Sequence, residues 1–98
     1  MFIKVSQIGV KSGQWNAFLK AFETTTIPQL EAQTGFMRVI CSGDEATGGA
    51  SLITMWQTAE QGGGSGHGGE DPTLASLRDY IEGDPVTSGY NEILEREF

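Results

Sequence analysis

The chain has 98 residues, 38% of them hydrophobic, and its six basic and thirteen acidic residues give a formal net charge of -7. A chain of this length makes one domain, so residues 1–98 are treated as a single unit with one modest core. The acidic balance argues against nucleic acid or an anionic membrane as a partner, because both attract a cationic surface.

Cysteine usage and the N-terminus indicate the compartment. Cys41 is the only cysteine and lies in an apolar run, which favours a small buried hydrophobe in a reducing environment. The N-terminus is strand-like and lacks the long apolar segment of a signal peptide, and no run approaches the ~20 apolar residues of a membrane span. These features predict a soluble cytoplasmic protein.

The first half of the chain predicts a strand, a helical run and a second strand. Residues 2–8 alternate Ile3 and Val5 with polar residues, which predicts strand one. Apolar residues then recur at helical spacing and form one stripe, which consists of Trp15, Phe18, Leu19, Phe22, Thr26, Ile27 and Leu30. Pro28 should kink this helix or begin a second short one. Residues 36–41 predict strand two, apolar on both faces except for Arg38.

A hairpin and a glycine tract follow. Residues 42–49 are dense in Gly and Asp and predict a hairpin loop, and residues 50–57 predict strand three, which ends near Trp56. Residues 62–69 contain six glycines around His67, the only histidine. Each glycine costs about 1 kcal/mol in a helix relative to alanine, so this tract is predicted to be a loop.

The last part of the chain predicts a second helix and a fourth strand. Asp71 and Pro72 form an N-cap and first-turn signal for a helix that Gly83 ends. The apolar stripe of this helix consists of Leu74, Leu77, Tyr80 and Ile81. Residues 84–85 predict a turn, and residues 87–95 predict strand four.

The order β-α-β-β-α-β predicts a ferredoxin-like α+β fold, with a four-stranded antiparallel sheet and both helices on one face. The other face carries apolar residues from strands two and three. A second copy of the chain is expected to cover it, sheet against sheet, so the sequence predicts a homodimer.

Several features in this order carry a family resemblance. They are the opening strand, Gly13 with Phe18 in the first helix, Pro28 followed by residues 35–36, a strand ending in residues 56–58, and Tyr90 in the closing strand. Together they resemble the antibiotic-biosynthesis-monooxygenase type of the dimeric α/β-barrel superfamily. The resemblance implies that two copies of the fold form a dimeric α/β barrel.

The resemblance implies two kinds of enzyme. Cofactor-independent quinone-forming members hold a phenolic or anthrone substrate between sheet and helices, and the substrate carbanion itself reacts with oxygen. Haem-degrading members use a strand-one amide, a strand-three tryptophan and a histidine that ligates iron; Gln7, Trp56 and His67 stand at comparable positions here, with glutamine in place of the typical asparagine.

The candidate catalytic residues each have an ordinary structural alternative. Trp56 would stack on a planar substrate or pack in the core. His67 would act as general base or remain a solvated loop residue. Gln7 would orient a substrate oxygen or bond to a neighbouring strand. The candidate substrate-binding residues are Phe22, Met37, Arg38, Met55 and Tyr80.

The leading functional hypothesis is a cofactor-independent monooxygenase for a small aromatic substrate of polyketide, anthrone or quinol type. The alternatives are a haem-binding or haem-degrading monooxygenase and a non-catalytic dimeric ligand-binding module. Asp44, Glu45, Glu70 and Asp71 lie in predicted loops without further ligands at metal spacing, so no metal site is expected.

Overall fold

A computed structural model of the chain describes residues 1–62, 72–91 and 96–97. Within these residues a four-stranded antiparallel sheet has the order β2-β3-β1-β4, its strands being β1 Phe2–Val10, β2 Phe36–Asp44, β3 Gly49–Trp56 and β4 Ile81–Asn91. The α-helices are α1 Trp15–Ala21, α2 Ile27–Glu31 and α3 Pro72–Ala75. This architecture confirms the predicted ferredoxin-like α+β fold.

A nearly continuous helical run joins β1 to β2. Between α1 and α2 the chain makes a π-helical turn, Phe22–Thr26. Pro28 lies in the first turn of α2, directly after the π-helical turn, so it stands at the start of a short second helix as predicted. The predicted apolar stripe is too wide, because Leu19 is 39% exposed on the outer surface of α1.

The second helical segment is shorter than predicted. After α3 the chain makes only a 3₁₀ turn, Arg78–Tyr80, and β4 begins at Ile81, whereas the sequence pattern extended the helix to Gly83. Ile81 pairs with Val10 across the sheet, and the Lys11 amide donates to the Tyr80 carbonyl at 2.9 Å. Pairing with β1 therefore outweighs the local helical pattern.

Strand β4 contains a bulge where the sequence predicted a turn. Gln7 pairs with Val86 and Gly9 pairs with Glu82, so residues 83–85 lie opposite one residue of β1. Gly83 has a φ of 75°, a conformation that favours glycine. The bulge lets pairing continue past a segment whose sequence would otherwise end a strand.

The β2–β3 hairpin is tighter than predicted. The strands pair until Asp44 meets Gly49, so the loop is only residues 45–48. Asp44 Oδ1 accepts a hydrogen bond from the Ala46 amide at 2.9 Å, and the Gly48 carbonyl accepts one from the Val10 amide at 2.7 Å. The first bond lies within the hairpin, and the second ties the loop to the end of β1.

The sheet has two unlike sides. We call the side packed against α1 and α2 the helix side and the opposite side the open side. Trp56 pairs with Phe2, so the even-numbered residues of β1 share the helix side with Trp56, and the odd-numbered residues lie on the open side. β2 was predicted to be apolar on both faces, but much of it is exposed.

Two apolar clusters form the core on the helix side. The first consists of Ile8, Val10, Phe18, Phe22, Ala50, Leu52 and Leu77. The second consists of Phe2, Leu30 and Trp56. No helix in the described part of the chain is long and apolar enough to span a membrane.

Candidate functional site

Polar side chains lie between the two apolar clusters of the helix side. On β1, Lys4 and Ser6 come between Phe2 of the second cluster and Ile8 of the first, and both are buried. On the helical run, Thr26 comes between Phe22 and Leu30 at intervals of one helical turn. We call this set the polar layer; its members are Lys4, Ser6, Thr26, Thr54, Ser76 and Thr87.

Hydroxyl pairs connect the polar layer across elements. Ser6 Oγ and Thr87 Oγ1 are 3.0 Å apart and join β1 to β4. Thr26 Oγ1 and Ser76 Oγ are 2.7 Å apart and join the helical run to the segment after α3. Thr26 is fully buried, whereas Thr87 is exposed, so the layer extends from the interior to the surface beside β4.

Trp56 forms one wall of the polar layer. Its side chain is 3% exposed, and its indole Nε1 donates to Thr54 Oγ1 at 3.0 Å. The Phe36 ring meets it edge-on with 5.2 Å between centroids. A Cβ added to Gly62 would stand 2.8 Å from the Phe2 ring and 2.9 Å from the Trp56 ring. The start of the glycine tract therefore packs directly on this wall because it has no side chain.

Lys4 is the charged member of the layer, and the sequence analysis did not single it out. It is 7% exposed and lies opposite Thr54 in β3 and Gly89 in β4. The sequence set Ile3 and Val5 against Lys4 and Ser6 without telling which pair is buried on the helix side. The pairing of Phe2 with Trp56 puts Lys4 and Ser6 on the side of the tryptophan.

The chemistry available in the layer follows from these groups. An ammonium group supplies three hydrogen-bond donors, and each hydroxyl can both donate and accept. Aromatic and aliphatic walls flank them on both sides. Groups of these kinds hydrogen-bond to the oxygen atoms of an aromatic molecule and pack against its rings.

The structure divides the predicted catalytic residues between the two sides of the sheet. Trp56 is on the helix side, whereas Gln7 lies on the open side opposite Ser51 and lines a cleft of about 410 Å³ that also includes Ser42. Gln7 and Trp56 are thus not brought together within one chain. Ser6 occupies the position on β1 that faces the same side as the tryptophan. His67 lies outside the described residues.

The predicted substrate-binding residues are divided in the same way. Phe22 belongs to the first cluster, and Tyr80 packs against it, so both are on the helix side. Arg38 and Met55 are paired on the open side, and Met37 is 51% exposed at a β2 irregularity. The helix side therefore contains Phe22 and Tyr80 in the first cluster and Trp56 in the second, whereas the other three residues are not on this side.

Cys41 packs half-buried against the first cluster. Burial raises the pKa of its thiol, because removal from water disfavours the thiolate. This makes it a poor nucleophile at neutral pH. Among the residues that the structure describes, no group of three or more His, Cys, Asp or Glu side chains could hold a metal ion.

Comparison with known proteins gives structural likeness only. No protein-family model matches the chain, and no curated protein matches it significantly. A solved antibiotic biosynthesis monooxygenase has a TM-score of 0.70 at 10% identity, with 96% of this chain and 100% of that one covered. A variant of SnoaB, a cofactor-independent oxygenase from Streptomyces nogalater, has a TM-score of 0.72 at 16% identity, with 96% and 94% covered.

A third similar structure is a variant of MhuD with two manganese protoporphyrin IX molecules in each active site. Its TM-score is 0.69 at 15% identity, and both chains are covered completely. These likenesses extend over nearly the whole of each chain. They confirm, at the level of the fold, the resemblance to the antibiotic-biosynthesis-monooxygenase type.

Proposed function

Starting from the fold of antibiotic biosynthesis monooxygenases, we propose that this chain is a cofactor-independent monooxygenase for a small aromatic substrate of polyketide, anthrone or quinol type. The observation that carries the proposal is the polar layer beside Trp56, which offers hydrogen-bonding groups between apolar walls. The likeness to SnoaB adds support. A fold alone does not establish a function, so the residues of this layer are the part to test.

The proposed reaction converts a methylene group of an anthrone into a carbonyl. Loss of a proton from the methylene carbon gives a carbanion delocalised over the rings. The carbanion transfers an electron to dioxygen, and a carbon–oxygen bond forms to give a peroxide. The peroxide takes up a proton and then loses water to leave the carbonyl. Substrate and O₂ thus give the quinone and one water, and the substrate supplies all the electrons.

The roles of individual residues follow from their positions. Trp56 would stack on the ring system, with Phe22 on the opposite side of the polar layer. Ser6 and Thr54 would hydrogen-bond to substrate oxygens, because both are buried on the helix side. His67 remains the predicted acceptor of the methylene proton. Gln7 would reach a substrate only if the open side contributes to a site.

Oxygen consumption with a panel of anthrones and quinols tests the proposal. Trp56→Phe and His67→Ala should each lower kcat/KM at least tenfold. Trp15→Phe is the matched control, because Trp15 packs at the opposite end of the helix side, and it should retain wild-type turnover. The proposal fails if no compound is turned over, or if both site variants match wild type.

Haem binding is the second candidate, and the likeness to MhuD motivates it. The described residues fit it only in part, because Gln7 lies on the opposite side of the sheet from Trp56. Titration with haemin, followed by absorbance, separates the candidates. A Soret band that disappears in His67→Ala would support histidine-ligated haem, whereas an absent or unchanged band excludes it.

We also infer that two copies pack open side to open side. That side carries partly buried Ile3, Val5 and Ile53, and it leaves Tyr90 67% exposed and Val86 62% exposed. An apolar sheet face of this kind is stabilised when another protein surface buries it. Light scattering coupled to size exclusion should give twice the chain mass. If ligands bind to this dimer without any turnover, the non-catalytic ligand-binding module becomes the better reading.

A further inference from the structure

We propose that Lys4 binds an ionised oxygen of the substrate, so that the site selects aromatic compounds with an acidic hydroxyl or enol and holds them as anions. This inference rests on the proposed function, because it assumes that the polar layer is the substrate site. It adds a contact that the sequence analysis did not foresee and a charge requirement for the ligand.

The burial of Lys4 sets it apart from the other basic residues. All six basic residues lie in the described part of the chain, and Lys4 alone is buried; the other five, Lys11, Lys20, Arg38, Arg78 and Arg96, are exposed. Lysine is rarely buried, because its ammonium loses hydration in the interior. A chain with a net charge of -7 has thus placed its one buried cation beside the candidate site.

The position of Lys4 suits contact with a ring-bound oxygen. It projects from the centre of the sheet, since β1 is flanked by β3 and β4. Along β1 it stands two residues from Phe2, which packs with Trp56, and two residues from Ser6. Thr54, which accepts the indole N–H of Trp56, lies directly opposite. A ring stacked on Trp56 would therefore present its edge oxygens toward Lys4.

The electrostatics favour an oxyanion over a neutral hydroxyl. Hydrogen bonds between an ammonium and an oxyanion are roughly twice as strong as neutral ones. Burial of the pair strengthens the attraction further, because fewer water dipoles screen it. Lys4 should therefore lower the pKa of a bound phenol or enol. For an anthrone this would favour the enolate that reacts with oxygen, with the proton released to a base or to solvent.

Binding of 4-nitrophenol tests this without turnover, because its absorbance reports its ionisation directly. In wild type the bound phenol should have a pKa at least one unit below that of the free compound, which is a tenfold preference for phenolate over phenol. In Lys4→Met this preference should be lost and phenolate affinity should fall about tenfold or more. Lys4→Arg should retain most of the preference for phenolate, since a cation remains at this position.

Two controls separate charge from folding. Lys20→Met removes the same charge from an exposed position on α1 and should leave phenolate binding unchanged. 4-Nitroanisole has the same ring without an ionisable hydroxyl, so it should bind wild type and Lys4→Met equally. Equal binding of this neutral probe shows that the pocket of the variant is intact.

The inference is overturned if wild type does not bind 4-nitrophenolate at millimolar concentration, if the pKa of the bound phenol is unchanged or raised, or if Lys4→Met behaves like Lys20→Met. Lys4-dependent phenolate binding without oxygen consumption on anthrones has a different meaning. This result would support the anion-binding role of Lys4 and would overturn only the proposal that the protein is an oxygenase.

Discussion

Each side of the sheet carries some residues that its exposure would not suggest. The helix side is buried, yet it contains Lys4, Ser6 and Thr54. The open side is partly accessible, yet along β3 it presents Ile53 and Met55. Both deviations run against the usual preference for apolar interiors and polar surfaces. Buried polar groups and uncovered apolar groups are the informative exceptions in a fold.

The difference indicates that the two sides have different tasks. A polar layer that interrupts a core contributes less burial energy than leucine or valine would, and its retention is characteristic of a site. An apolar sheet face, in contrast, gains stability only when something covers it. The difference supports the two proposals made above, ligand binding on the helix side and assembly through the open side.

The largest expected effect comes from a charge on the open side. Ile53→Asp would bury an unpaired carboxylate between two copies, which should weaken dimerisation at least ~100-fold, or about 3 kcal/mol. Analytical ultracentrifugation should then show a monomer at concentrations where wild type is dimeric. Leu19→Asp, on the outer surface of α1, is the control and should remain dimeric. An Ile53→Asp dimer of wild-type affinity would contradict the assignment of assembly to this side.

Neighbouring residues of β3 offer a second comparison, because Leu52 and Ile53 point to opposite sides. Leu52 is 2% exposed, so Leu52→Ala should lower the free energy of unfolding by about 2–5 kcal/mol at any protein concentration. Ile53→Ala should lower the free energy of unfolding by less than Leu52→Ala at low protein concentration, and its effect should grow at concentrations where the dimer forms. Urea unfolding at several protein concentrations measures both. If the destabilisation by both variants depends on protein concentration in the same way, the two sides of the sheet do not differ in their part in assembly.

The hydrogen bond inside the polar layer has a smaller predicted effect. Thr54→Val removes the acceptor of the Trp56 indole and leaves a buried N–H unsatisfied, which should cost about 1–3 kcal/mol. Thr54→Ser keeps the hydroxyl and should cost less. In the double variant with Trp56→Phe, the Thr54→Val loss should shrink, because no indole donor remains. A full additive loss in urea unfolding would show that the bond contributes nothing.

The smallest effect is the pH dependence of Cys41. Burial raises the pKa of its thiol in the folded chain, so above about pH 8.5 the unfolded chain loses this proton first. The folded state then binds more protons than the unfolded state, and the contribution of the thiol to stability falls as the pH rises through the folded pKa. Urea midpoints of wild type and Cys41→Ala should therefore diverge above this pH. Parallel pH profiles would contradict the burial of the thiol.

The fold was largely predictable because its elements have strong local patterns. Alternation in β1 and the helical spacing around Phe18 define their elements. The second helix was misjudged because Leu77 and Ile81 fit a helical stripe, whereas the pairing of Ile81 with Val10 is a long-range contact that no local pattern contains. Asp84 and Pro85 predicted a turn for the same reason, since a bulge depends on the partner strand.

The candidate site was less predictable than the fold. Successive residues of a strand face opposite sides of the sheet, and only the pairing with a neighbouring strand decides which of them face the helices. Gln7 and Ser6 are adjacent and polar, and only the pairing of Phe2 with Trp56 decides which of them faces the tryptophan. The alternation of Ile3 and Val5 with Lys4 and Ser6 does not show which set is buried on the helix side. Trp56 is the candidate that the sequence singles out most directly, since it ends an apolar strand.

The bulge of β4 has a consequence for solubility. β4 forms one edge of the sheet, and an edge strand with free backbone groups is a template for intermolecular β-pairing and aggregation. Residues 83–85 interrupt this edge with a left-handed glycine and a proline that has no N–H to donate. The bulge therefore discourages intermolecular strand pairing at this edge, which is compatible with the proposed packing of two copies through the sheet face.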